Sequence, residues 1–165
     1  MEKAEARSGN AIAQLLKFAG PRRCLAYVGS ALAALNGVLT IVPLVLVWFV
    51  LRDLVAVAPN WSAAEGLAFW DWLAFAFSAA GLFVYFPALM CTHLAAFRAA
   101  SNMRKQTTEH LMRLPLGFFD AHATGELRRV IDGCAASTES LLAHVLPDTA
   151  GSIAMVGGML ALLFA

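Results

Sequence analysis

Two long stretches of this sequence carry no charged residue: Cys24 to Leu51 and Trp72 to Phe97. Each exceeds the ~20 residues that a helix needs to cross the hydrocarbon core of a bilayer. Lipid offers no hydrogen bonds, so a spanning segment must satisfy its own backbone groups, and these two runs are constrained to be helices. A third uncharged run, Thr149 to Ala165, reaches the last residue and has about the minimum spanning length of ~17 residues. Composition agrees: 14% of the residues are charged and 60% hydrophobic, whereas soluble domains carry about 25% charge. The expected fold class is an all-α membrane protein. The third run has no polar residues after it, so the sequence reads as an N-terminal fragment or a truncated product whose third spanning helix is cut short.

Lysine and arginine orient the chain. Lys3, Arg7, Lys17, Arg22 and Arg23 precede the first span, and Arg52 alone lies between the spans. Arg98, Arg104, Lys105, Arg113, Arg128 and Arg129 follow the second. By the positive-inside rule the N-terminus and the 98–148 segment are cytoplasmic, as in a multi-pass plasma-membrane protein. Trp48, Trp61, Trp70 and Trp72 then gather at the outer face as an aromatic belt would. The expected plan is a cytoplasmic N-terminus with an amphipathic elbow helix (1–23), transmembrane helix 1 (24–51) and an extracytoplasmic loop (52–71). Transmembrane helix 2 (72–97), a cytoplasmic hairpin (98–148) and the start of transmembrane helix 3 (149–165) follow. Ala56, Val57 and Ala58 imitate a signal-peptidase site, but signal h-regions run about 7–15 residues, far short of the first span. Cys24, Cys91 and Cys134 stand singly, so no disulfide framework is expected.

Ile12, Leu15, Leu16 and Ala19 share one helical face, with Ser8 or Asn10 available as N-cap and Gly20 and Pro21 to end the helix. With Lys17, Arg22 and Arg23 at hand, that helix is expected to lie in the membrane interface. Asn36, Thr40 and Pro43 interrupt the first span, and Tyr85, Pro87, Thr92 and His93 the second. Intramembrane polar residues face a protein interior or an aqueous path. For Asn36 and Thr40 the plainer reading is hydrogen bonding between helices. For His93, one turn before Arg98, it is solvation at the interface.

No strong breaker occurs between Phe97 and Leu114, so helix 2 is predicted to continue to Pro115, about 64 Å from Trp72 at ~1.5 Å per residue. Leu127, Val130, Ile131, Cys134, Thr138, Leu141, Leu142, Val145 and Leu146 keep the spacing of an amphipathic return helix. Thr124 can cap that helix, and Glu126 suits its first turn. At the tip, Leu116 to His122 lie between Pro115 and an Ala123-Thr124-Gly125 turn, and are predicted to form a short helix. Adjacent Phe118 and Phe119 so far out on a hydrophilic projection mark a contact site.

The run Leu114-Pro115-Leu116-Gly117-Phe118-Phe119-Asp120, then Thr124-Gly125-Glu126-Leu127, Arg128, Arg129 and Asp132, resembles the first intracellular loop of ATP-binding-cassette transporters with the exporter fold. Thr138 to Ser140, Leu142 to His144 and Leu146 to Asp148 look like a bacterial half-transporter subset that includes exporter-fold siderophore importers. Gly133 and Cys134 depart from the acidic or amide residues usual after Asp132. The resemblance implies a coupling helix, with Leu116, Phe118, Phe119, Asp120 and His122 seated on a nucleotide-binding domain and Pro115, Thr124 and Gly125 shaping the turn. It implies a second transporter half, identical or different, and the bacterial inner membrane. Asn36, Thr40, Tyr85 and His93 become candidate walls of a substrate path. No GxxxxGK[ST] phosphate loop occurs, and none of Lys3, Lys17 and Lys105 follows a glycine. No cofactor is therefore expected on this chain. ATP and Mg²⁺ would belong to a nucleotide-binding domain elsewhere, in cis or in trans, and the chain itself is expected not to be an enzyme.

Other chemistry is thin. Glu109 and His110 lack an HExxH frame, and His122, His144 and Asp148 are dispersed, so no metal site is expected. Acidic residues interleave with the hairpin arginines, so no nucleic acid is expected as a partner. The competing readings are a membrane adaptor that recruits a cytosolic partner through the hairpin tip, and a sensor input module. Neither is accompanied by a signalling motif.

Overall fold

The computed structural model describes residues 12–57, 67–121 and 124–164. Ser8, Asn10, Trp61, His122 and Ala123, singled out above, lie outside them. The elements are α1 (residues 12–18), a 3₁₀ turn Gly20–Arg22, α2 (Arg23–Leu39), α3 (Ile41–Val57), α4 (Leu67–Met112) and α5 (Gly117–Ala121). Then come α6 (Thr124–Ser140), a π-helical turn Leu141–Val145, and α7 (Leu146–Phe164). No strand occurs among the described residues, and the fold is all-α. Among the described residues three helical stretches are long and apolar enough to cross a membrane: Gly20–Val57, Leu67–Met112 and Thr124–Phe164.

The helices outrun the uncharged segments. α3 continues past Leu51 to Val57, and α4 starts at Leu67, ahead of Trp72. Charge ends an apolar run without breaking a helix. Arg52 places its guanidinium 5.6 Å from the Trp48 ring and 5.4 Å from the Phe49 ring, and pairs with Asp53 at 3.3 Å. α4 is a single helix of 46 residues, about 69 Å at ~1.5 Å per residue. It passes through Pro87 and stops at Met112, just before Pro115.

Prolines explain the two irregularities in the other long stretches. A proline has no N–H to give the carbonyl four residues back, and its ring crowds that carbonyl. Pro43 does this to Leu39, where α2 ends. Thr40 turns back there, its N–H and its hydroxyl both donating to the Asn36 carbonyl at 2.9 and 2.8 Å. Pro147 does the same to Ala143, and the chain widens into the π-helical turn just before it. Thr92 of α4 donates its hydroxyl to that Ala143 carbonyl at 3.3 Å, within a buried contact.

The described residues form two compact units. The first comprises the residues up to Val28 together with Met90–Leu146. α1 ends just before Gly20, whose φ of 60° is the left-handed geometry found past a helix C-terminus, and Pro21 prevents continuation. The Asn102 amide donates to the Phe18 carbonyl at 2.7 Å and so closes the last turn of α1. Leu16 (3% exposed) and Ala19 (0%) are buried with Ala95, Ala96, Ala99, Leu142 and Ala143. This part of the α1 face, expected to belong to an interfacial helix, is covered by protein. The alanines of α4 leave a trough shallow enough for α1 to enter.

The second unit comprises Gly29–Leu89 and the chain from Pro147 onward. In it glycine meets glycine. A Cβ at Gly37 would fall on the Gly151 carbonyl oxygen and 3.1 Å from its carbon, and one at Gly151 would lie 3.2 Å from the Ala33 carbonyl oxygen. Small residues let membrane helices meet backbone to backbone in this way. Toward the end of α3 and the start of α4, Phe49 and Trp70 stack with centroids 5.3 Å apart.

Candidate functional site

In the first unit, α4 and α6 pair antiparallel. Met103 meets Thr138 (Oγ1 to Sδ, 3.7 Å), Arg104 meets Asp132 (3.4 Å), and Thr92 meets Ala143. Asp132 is shared, because Arg128 one turn before it also approaches at 3.7 Å. Glu109 pairs with Arg113 rather than with His110. Toward the tip the two helices part around a cavity of about 460 Å³, walled by Leu111, Met112, Phe119, Leu127 and Ile131 with Arg104 and Asp132 at its polar side.

The tip is built by short-range bonds. Arg113 and Leu114 donate back to His110 and Leu111 as α4 ends, and Phe118 and Phe119 donate to the Pro115 and Leu116 carbonyls at 3.0 Å to start α5. Thr124 is the first residue of α6, with Glu126 in its first turn. Phe118 and Phe119 meet edge to face, centroids 5.5 Å apart. Both are half-buried, and Phe119 forms part of the wall of the hairpin's own cavity. Leu116 is strongly exposed at the tip, at 85%, as is Met112 at the end of α4, at 74%. Pro115, Gly117, Asp120, Thr124 and Gly125 are also exposed.

Three of the four candidate wall residues come together in the second unit. Asn36, Thr40 and Tyr85 line one groove of about 430 Å³, together with Pro43, Phe77, Ser78 and Gly81. No charged side chain lines it. Gly81 leaves the Asn36 Oδ1 room, since a Cβ there would sit 3.2 Å from that oxygen. Thr40 and Ser78 give their hydroxyl protons to their own helices, at the Asn36 and Ala74 carbonyls. They present oxygen lone pairs to the groove as acceptors. Ser78 and Gly81 were not singled out in the sequence, although with Tyr85 they follow helical spacing on one face. His93 is elsewhere: it belongs to the first unit, its ring 5.0 Å from that of His144.

The family of ABC transporter transmembrane regions matches residues 27–165. The ATP-dependent lipid A-core flippase of Idiomarina loihiensis is 35% identical over 77 residues, which are 44% of this chain and 12% of that protein. The mycobactin import ATP-binding/permease protein IrtA of Mycolicibacterium smegmatis is 27% identical over 84 residues, 51% of this chain and 10% of that protein. The matched segments are thus a small part of either relative. No solved structure matches the chain. The family match runs from α2 to the last residue and takes in both units, so the chain belongs to the ABC transporter transmembrane regions, a membrane-embedded family.

Proposed function

We propose that this chain forms the N-terminal part of the transmembrane domain of an ATP-driven transporter, and that α5 is the element through which a nucleotide-binding domain moves it. One observation carries the reading: α4 and α6 form an antiparallel pair, tied by Arg104, Asp132 and Thr138, that presents Leu116 at its end. A strongly exposed apolar side chain beside Asp120 on a paired-helix support suits a knob that enters a groove on a partner domain. Closure of two such domains around ATP and Mg²⁺ would then pull on α5, and the paired helices would carry the displacement as a rigid body. His122 belongs to the same contact. The tip faces the cytoplasm of a bacterial inner membrane, by the lysine and arginine asymmetry, and a second transporter half completes the path. The groove around Asn36, Thr40 and Tyr85 forms part of that path. Its uncharged mixture of amide, hydroxyl and aromatic groups suits an amphiphilic substrate. The names of the two relatives, a lipid A-core flippase and a mycobactin import protein, are compatible with that.

The test is Leu116→Ala in the assembled transporter. Transport is expected to fall more than ATP hydrolysis, because the contact is loosened while the catalytic residues are untouched. A double-mutant cycle against the facing groove is expected to show coupling of about 1 kcal/mol or more. Wild-type transport by Leu116→Ala and Leu116→Asp variants at normal expression would remove the proposed role of α5.

A further inference from the structure

His93 and His144 are 51 positions apart in sequence, yet their rings face each other edge to face, with centroids 5.0 Å apart and planes at 82°. The residues just before them are joined: Thr92 donates to the Ala143 carbonyl. Thr92, Leu142 and Ala143 are buried, which fixes both backbones at the point where the two imidazoles leave them. His144 lies in the π-helical turn, whose widened backbone sets which face it occupies. His93 is half-buried and His144 exposed. Phe97 covers one side of His93, its ring 5.7 Å away. Among the described residues neither imidazole has a hydrogen bond or an ion pair. Two histidines held together on a fixed frame with their polar atoms uncommitted call for a ligand that accepts two nitrogen donors.

We propose that His93 and His144 form a two-imidazole site for a late first-row divalent metal ion, such as Cu²⁺, Ni²⁺ or Zn²⁺. Neutral imidazole suits these ions, and affinity rises toward Cu²⁺. Metal–nitrogen bonds of about 2.0–2.1 Å place both rings around one ion at this separation. The imidazole χ2 torsion is broad, so a turn of one ring aims both donors at a common point without moving the backbone. No group of three metal-ligating side chains occurs among the described residues, so water or an outside donor fills the remaining positions. The bound ion would tie α4 to the π-helical turn beside the Thr92 contact.

The full chain, purified without a polyhistidine tag and placed in lipid nanodiscs, is titrated with Cu²⁺ alone and with Ni²⁺ alone. Wild type is expected to bind one ion per chain. Its Cu²⁺ electron paramagnetic resonance spectrum should carry the splitting of two imidazole nitrogens. His93→Gln and His144→Gln should each lower the apparent affinity at least tenfold and reduce the splitting to one nitrogen, with unchanged helical circular dichroism. His110→Gln should bind as wild type does. Wild-type affinity in either site variant overturns the proposal, as does loss of the ion in His110→Gln or the absence of saturable binding in wild type.

Discussion

A methyl group has very different consequences at two glycines of the same unit. At Gly37 it would strike the backbone of Gly151, which has no rotamer through which to yield, whereas at Gly158 it would lie 2.6 Å from the tip of the Ile41 side chain, which can rotate away. Gly37→Ala is expected to destabilise by about 1–3 kcal/mol, as overpacking does, and Gly158→Ala by less than about 0.5 kcal/mol. Thermal unfolding in one lipid environment checks the contrast. Thr92 and Pro147 are linked in the same local way. Thr92→Val removes the donor to the Ala143 carbonyl and is expected to cost about 1 kcal/mol, within the range of interhelical bonds in membranes. Pro147→Ala restores an N–H that can reach that carbonyl along the helix, so Thr92→Val should cost less in the Pro147→Ala background. Equal costs in both backgrounds would refute the linkage. Pro147 and Thr92 are plain in the sequence. Their relation was not legible there, because it requires knowing that α4 and α6 pair in this register.

Helices were the most readable level. The lengths of the uncharged runs, Gly20 with Pro21, and Pro115 mark where helices are required and where they stop. What the pattern did not reveal was which surface each apolar face would meet. Leu16 and Ala19 have the periodicity of an interfacial helix, and the same periodicity serves equally to bury them against Ala95 and Ala99. Phe118 and Phe119 stand out in the sequence as a pair and meet edge to face, and of the two it is Phe119 that lines the cavity of the hairpin. Phe119→Ala is accordingly expected to lower the stability of the hairpin by about 2 kcal/mol. Leu116→Ala, at a surface position, should change it by less than about 0.5 kcal/mol. Proteolysis within residues 104–132, compared between the two variants, separates them. Equal protection would mean that Phe119 does not brace the hairpin.

For the whole chain, the asymmetry of lysine and arginine predicts opposite sides of the membrane for Ser62 and Lys105. In a background lacking Cys24, Cys91 and Cys134, an impermeant thiol reagent applied to intact cells should label Ser62→Cys and spare Lys105→Cys. The reverse pattern would invert the topology. Membership of the transporter family was legible because the tip motif couples residue type to turn geometry over a short span. The groove was half legible: Asn36, Thr40 and Tyr85 stood out as polar residues among apolar ones, while Ser78 and Gly81 look ordinary until α4 is placed beside α2. The meeting of α2 with α7 has a mechanical meaning as well. Where Gly37 lies on Gly151 no side chains interlock, so a change of crossing angle there disturbs fewer packed groups than at any interdigitated contact. The crossing has the geometry of a bearing, in which two missing side chains leave backbone against backbone and any separation of the helices would lose the fit.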